Sequence, residues 1–493
     1  MLLFLICSAL LGAALLAYSQ TYALTWDEGF HLLAAQLIKH GRKPYIDFPF
    51  AQAPLNAYFN AGWMRVFGES WRAIQAIDAL LATAAVVLAA DFLRSRFKEW
   101  GAASLVTAVV VAGTNSKMVV FGPVGQAYAL GLFLIVAAFR LTVAAVERER
   151  KLFAGLAGFC SGAAAGSTLL TAFAGPVLLA WMSFCSPKGK RLSRALPFLG
   201  GFAVAWLPLA WLFIQSPGRF IFDVFRYHMF FRRSGWPGAT RHDLEMFTSW
   251  IDSPEALILG ILTAAGLWFI VRKSGWEPRL RREFYLCGWL ALALGLYVST
   301  AHPTFTQYYI FTLPFLAILS AVGLFAASYR FGIKRPLWPT LAVCLLASLG
   351  MAKGIYDRRD EQSWPGMEAV ARKVDEVTPP GASLSADEHV YFLLRRTPPP
   401  GNEYISSHHL RLPPALAEFV HMVPQPEIDR RIAAGAYATL ETCDDEDWMK
   451  ERKLDQIYRQ KAEVSDCDVF WDWAGQPLPD DHGSRSTLPS RAR

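Results

Sequence analysis

Charged side chains are scarce in this sequence. Asp, Glu, Lys and Arg make up 18% of its 493 residues, against ~25% in an average soluble domain. That scarcity excludes a disordered chain and a charged coiled coil. Cysteine is also sparse, at seven residues: too few for a disulfide scaffold, and no Cys/His spacing matches a zinc site. No internal repeat of the solenoid kind is present. The net charge of +7 does not mark a nucleic-acid binder. Between residues 90 and 340 the Lys and Arg fall mainly in short clusters between apolar runs, and they form no continuous phosphate-binding stripe. What is abundant is apolar surface: hydrophobic residues account for 53%, including 34 Phe and 17 Trp. They arrive in long runs, as in a polytopic membrane protein.

A bilayer core of ~30 Å needs about 20 apolar helical residues. About eleven stretches meet or approach that length, near residues 2–19, 73–93, 101–114, 124–145, 152–168, 172–186, 195–215, 255–271, 284–300, 308–328 and 337–353. The runs at 101–114 and 172–186 are short. Lys and Arg set the orientation. One set of loops carries Arg94, Arg96 and Lys98; Arg148, Arg150 and Lys151; Lys188, Lys190, Arg191 and Arg194; Arg272, Lys273, Arg279, Arg281 and Arg282; and Arg330, Lys334 and Arg335. The alternate short loops, near 115–123, 169–171 and 301–307, carry only Lys117. The first set is expected to be cytoplasmic, with the N-terminus inside and the C-terminus outside. Residues 1–23 have a second reading as a signal peptide ending at Thr21-Tyr22-Ala23, although they lack a basic leading segment. Under both readings residues 24–72 lie outside.

The expected fold is thus a polytopic α-helical membrane domain over 1–353, with outer loops at 20–72 and 216–253. A small α/β domain over 354–481 on the outer face and a disordered tail over 482–493 follow it. In the second domain, Ala382–Leu384, Val390–Leu394, Tyr437–Leu440 and Val469–Trp471 look like strands, and 363–377 and 446–460 look like helices. Cys443 and Cys467 are the cysteine pair of that domain. In an oxidising compartment they are expected to form a disulfide; the alternative is two unpaired thiols.

Polar groups concentrate against the membrane in the loop at 24–72. Asp27 and Glu28 follow the first apolar run directly. Phe30, Leu33, Ala34, Leu37 and Ile38 then recur at helical spacing, which predicts an amphipathic helix in the interface with Trp26 as its aromatic anchor. A turn over 41–44 and a second interfacial helix from about Leu55 to Phe67 complete the loop. The plain reading of Asp27-Glu28 is a helix cap or a solvated loop. The sharper one is an acidic pair whose partial desolvation raises the carboxyl pKa and makes a better base.

The segments W-D-E-G-x-H-x-x-x-A, G-x-x-P-Y-x-D-F-P and x-x-P-L-x-x-Y within 24–70 resemble the first outer loop of the GT-C glycosyltransferases. The likeness is to the branch holding the protein O-mannosyltransferases and the aminoarabinose lipid A transferase. The stretch at 307–317, Q-Y-Y-I-F-T-L-P-F-L-A, is similar to that family's late span. The resemblance implies transfer of a sugar from a polyprenyl-phosphate carrier to a lipid, glycan or protein acceptor, with inversion, on the outer face of a membrane such as the bacterial inner membrane. It implies Asp27 as the base, supported by Glu28. The lipid A branch carries Glu-Lys before its loop proline, where this chain has Gln52-Ala53-Pro54, so that phosphate-binding cation is missing. Replacement candidates are Arg42, Lys43 and Lys117, and the cations set among aromatics from Phe225 onward: Arg226, His228, Arg232 and Arg233, then Arg241 and His242. Asp47 and His302 are further candidates for substrate contact, each with a structural role as its alternative, and Asp78 is expected to face another helix. The loop at 114–126 lacks the acid that several members use for metal binding. An Asp27-Glu28 pair alone is a thin divalent-metal site, so no tightly bound cofactor is expected. A transporter is the competing class, but it predicts internal repeats and mid-membrane polar groups. A non-catalytic scaffold of envelope glycan assembly is the third.

Overall fold

The computed structural model describes residues 2–475 apart from 24, 99, 233–237, 273–275, 334–336, 358, 360–361, 405–409, 411 and 444–445. Arg233, Lys273, Lys334, Arg335, the Trp26 side chain and the tail from 482 lie outside the described residues. The chain divides into two compact units, Met1–Trp364 and Pro365–Arg493.

The first unit is helical. Its elements are α1 (Leu2–Ser19), α2 (Thr25–Lys39), α3 (Leu55–Phe67), α4 (Trp71–Arg96), α5 (Ala102–Gly113), α6 (Ser116–Phe121), α7 (Ala127–Glu147), α8 (Lys151–Ser167), α9 (Ala174–Cys185), α10 (Arg191–Ala205), α11 (Leu207–Gln215), α12 (Pro217–Ile221), the π-helical α13 (Phe222–Phe231), α14 (Ala239–Asp252), α15 (Pro254–Arg272), α16 (Pro278–Val298), α17 (Leu313–Arg330) and α18 (Leu337–Asp357). A helix stands on each apolar stretch of the sequence. Five are long and apolar enough to cross a bilayer, α17 with the 3₁₀ turn before it among them, and α10 with α11 makes a sixth if that pair, bent by 49°, is one span. The helices on the other five stretches, α5, α8, α9, α16 and α18, do not meet that test, three of them for visible reasons. α5 and α9 have 12 residues each. α16 opens with Arg279, Arg281, Arg282 and Glu283, which shortens its apolar remainder.

The bundle packs through small residues where backbones meet. A Cβ on Gly323 of α17 would stand 1.8 Å from the Leu262 carbonyl of α15, so only glycine allows that approach.

α4 sets the long dimension. Its 26 residues span about 39 Å at 1.5 Å each. At its C-terminal end Arg96 bonds Glu147 of α7 at 2.6 Å and Glu283 of α16 at 2.7 Å, and Asp91 accepts from Arg140 at 2.7 Å. At its N-terminal end Gln75 meets α2. The acidic motif and the basic network therefore lie roughly 30 Å apart along one helix, about the thickness of a bilayer core.

α2 has the expected extent but not the expected setting. Every residue from Glu28 to Ile38 is buried, so the helix is enclosed and does not lie on an interface. The periodic apolar side packs into the unit, and the opposite side (Glu28, His31) forms a polar interior. The composition change near residue 354 precedes the end of this unit: Ser363 bridges to Tyr22, and Trp364 stacks on Trp71 with ring centroids 4.8 Å apart.

The second unit contains a four-stranded mixed sheet of order β1-β2-β4-β3, formed by β1 (Leu384–Ser385), β2 (Thr439–Thr442), β3 (Tyr458–Val464) and β4 (Cys467–Trp473). β1 and β2 are parallel; β4 is antiparallel to both of its neighbours. Two expectations fail here. Val390–Leu394 belongs to a helix, Glu388–Leu394, because a short apolar run does not distinguish a buried helix from a strand. Tyr458–Val464 is a strand where a helix was expected to reach residue 460. It lies at the sheet's edge with mostly exposed polar side chains, so it shows no apolar alternation. Cys443 and Cys467 are joined by a disulfide.

Candidate active site

Asp27 and Glu28 occupy the first turn of α2. Glu28 is fully buried. Its Oε1 accepts from Gln75 Nε2 at 2.8 Å and from the backbone N–H of Gly125 at 2.7 Å; its Oε2 accepts from Gln75 Nε2 at 2.9 Å. Gln75 Nε2 also donates to the Tyr22 carbonyl at 3.1 Å. A buried carboxylate is tolerated when donors of this kind satisfy it. Asn60 Nδ2 donates to the Gly125 carbonyl at 3.1 Å, so both sides of that peptide unit are used. Asp78, one turn beyond Gln75 on α4, is fully buried and lies within electrostatic reach of Glu28.

Asp27 differs from its neighbour in that it keeps some exposure. Desolvation holds its carboxyl above the usual carboxylate range, while the Arg232 guanidinium and the Gln126 amide pull it back down. By strict geometry the Gln126 Nε2 has no hydrogen-bond partner among the described residues. Tyr128 of α7 and Tyr308, in the 3₁₀ turn before α17, lie within electrostatic reach of Asp27. Arg232 donates from Nη2 to the Tyr308 hydroxyl at 2.9 Å and stacks over Phe305 at 5.3 Å. A carboxylate and a guanidinium thus lie within electrostatic reach of each other, and two phenols lie within reach of both.

The two long polar loops come together. Asp223 of α13 accepts the Phe50 N–H at 3.2 Å, His228 donates from Nε2 to the Ala51 carbonyl at 2.7 Å, and Arg219 Nη1 donates to the Ile46 carbonyl at 3.1 Å. The Tyr45 hydroxyl closes the turn onto Gln52 at 2.5 Å. Burial pushes His228 down to about 4, helped by Arg232 and opposed by its bond to Ala51. His228 is therefore neutral at physiological pH and adds no charge beside Arg232. Burial likewise holds His31 down at about 3.

Of the remaining sequence-picked residues, Asp47, Arg42, Lys43 and His302 have local partners. The Asp47 carboxylate accepts the Lys43 N–H at 2.7 Å, and Arg42 donates to the Asp47 carbonyl at 2.6 Å, which closes the 41–47 turn. Lys43 Nζ donates to Gln215 at 3.1 Å and lies over Trp211. His302 pairs with Asp243, whose other oxygen accepts the Thr304 N–H at 2.7 Å. Lys117 is half-buried on α6; that helix is capped by Asn115 and receives Glu255 at the Ser116 N–H, 3.0 Å away. Arg226 is exposed.

Sequence reasoning missed Gln75, Gly125, Gln126, Tyr128, Asp223 and Asp243. Gln75 had a signal: with Asp78 it forms a polar pair three residues apart, on one face of an apolar helix. Gly125 had none, since its role is a backbone N–H.

No protein-family model and no curated protein matches the chain. Solved structures do. ArnT from Cupriavidus metallidurans bound to undecaprenyl phosphate superposes with a TM-score of 0.68 at 14% identity, over 96% of this chain and 99% of that one. The apo oligosaccharyltransferase of Archaeoglobus fulgidus gives 0.52 at 13% identity, over 89% of this chain and 69% of that one. Arabinosyltransferase EmbB from Mycobacterium smegmatis gives 0.51 at 12% identity, over 72% and 41%. At such identities the likeness is one of fold: the chain shares the fold of these structures.

Proposed function

We propose that the chain is an inverting glycosyltransferase. In this reading it moves a sugar from a polyprenyl-phosphate carrier to a lipid, glycan or protein acceptor at the membrane face remote from the basic loops. If the first unit sits in a bacterial inner membrane with its N-terminus inside, that face is the outer one, and the second unit is extracytoplasmic. The juxtaposition of Asp27 with Arg232 carries the proposal. The shared fold supports it, as does undecaprenyl phosphate bound to the ArnT structure.

The chemistry is a single displacement. Asp27 takes the proton of the acceptor hydroxyl as that oxygen attacks the anomeric carbon. The bond from that carbon to the phosphate oxygen breaks, and the electron pair leaves with the polyprenyl phosphate. A carboxyl raised by desolvation is a stronger base than a solvated one. Arg232 takes up the charge on the departing phosphate and is held in aim by Tyr308 and Phe305. Glu28, locked by Gln75 and Gly125, fixes the first turn of α2 and hence the direction of Asp27.

Deleting the gene should cause a polyprenyl-phosphate-linked sugar to accumulate and so name the donor. Restoring the gene with Asp27→Ala should leave the accumulation in place, with protein levels unchanged. A lipid-linked pool unaltered by deletion would contradict the reading.

A further inference from the structure

The second unit holds a group of side chains that sugar transfer does not use. Asp387, His389, Glu441 and Cys443 each offer a ligand atom, and these atoms all lie within 4.8 Å of one another. The topology explains the meeting. β1 and β2 pair in parallel, Ser385 opposite Leu440. Residues just past β1 and at the end of β2 therefore reach the same end of the sheet, although Asp387 and Glu441 are 54 positions apart. No ligand spacing along the sequence could reveal this.

Two observations point to a cation there. His389 is 1% exposed; its Nε2 has no hydrogen-bond partner among the described residues. An orphaned imidazole nitrogen in the interior is costly. Glu441 is 3% exposed on the inner strand β2. Its Oε2 accepts the Asp387 N–H at 2.9 Å. Its Oε1 lies 3.3 Å from the Cys443 sulfur, which carries no proton because it is bonded to Cys467. Two electron-rich atoms thus face each other beside an imidazole with spare capacity.

We propose that Asp387, His389 and Glu441 form a binding site for a divalent metal ion of the zinc class. One imidazole with two carboxylates suits zinc and its neighbours better than calcium or magnesium. Ligand bonds of ~2.0–2.2 Å place ligand atoms somewhat closer than they stand now, so binding draws the three side chains together by small rotations. Asp387 is half-buried and leaves a path from solvent. The ion would tie the segment after β1 to β2. The proposal is independent of the transfer reaction.

The test uses the full chain in detergent, stripped with chelator and titrated with zinc against a chromophoric competitor. The wild type should bind one saturating equivalent. Asp387→Asn and His389→Gln should each weaken binding by at least about tenfold, with the metal-free circular dichroism unchanged. Cobalt(II) substituted for zinc should give ligand-field bands in the wild type that both variants lose. Asp387→Asn changes a half-buried group and serves if His389→Gln does not fold. Absence of bound zinc in the wild type, or affinity unchanged in a folded variant, would overturn the site.

Discussion

The backbone N–H of Gly125 points at the Glu28 carboxylate from 2.7 Å, so the loop before α7 holds the first turn of α2. A side chain at 125 breaks this. A Cβ there would stand 2.9 Å from Glu28 Oε1, 3.0 Å from Leu32 and 3.2 Å from Ile74. The Glu28 oxygen cannot swing aside without losing Gln75. Gly125→Ala is expected to cost roughly 1–3 kcal/mol in thermal stability and to lower transfer at saturating donor. Wild-type melting and turnover would contradict the link.

Arg232 combines a charge with a directed bond to Tyr308. Arg232→Ala should slow transfer by ~10²-fold, the usual cost of losing one group that stabilises developing charge. Arg232→Lys should recover only part of it, because an ammonium is a point charge without the planar fork. Steady-state kinetics with a defined lipid-linked donor separates the two.

Asp27 must be ionised to act, so activity should rise with pH through its pKa. Burial places that limb above the ordinary carboxylate value of 3.8, and Arg232 restrains it. Residual transfer by Arg232→Gln should therefore show its acid limb at higher pH than the wild type. A limb that stays in place or moves to lower pH would contradict the pairing of the two groups.

Burial pushes Asp223 up to about 7 from 3.8, opposed by the Phe50 N–H and by Arg219. The sign follows from its two states. Unfolded, the carboxyl ionises near pH 4; folded, it keeps its proton until about 7. Folding is penalised increasingly between those values and by a constant amount above them. At ~1.36 kcal/mol per unit the penalty is at most roughly 4 kcal/mol. Asp223→Asn keeps an acceptor for Phe50, so it should raise the melting temperature at pH 8 and leave it unchanged at pH 4.

Much of this was legible in the sequence because bilayer physics writes itself in long runs. The apolar stretches, the polar loops at 24–72 and 216–253 and the Asp27-Glu28 pair all stood out by composition. The setting of α2 did not. Its amphipathic period is the same whether the polar side meets water or an interior of Gln75 and Gly125. Nor did the docking of Asp223 and His228 onto Phe50 and Ala51, since these bonds reach backbone groups that carry no sequence signature. The edge strand Tyr458–Val464 was hidden for the opposite reason: with little to bury, its side chains have no pattern to show.

The most direct measurement is single-turnover transfer from a polyprenyl-phosphate-linked sugar by the wild type and by Asp27→Asn, with polyprenyl-phosphate binding measured on both. Asp27→Asn should bind the carrier as tightly as the wild type and transfer sugar at least ~10²-fold more slowly. A folded Asp27→Asn protein that transfers at the wild-type rate would remove Asp27 from the chemistry.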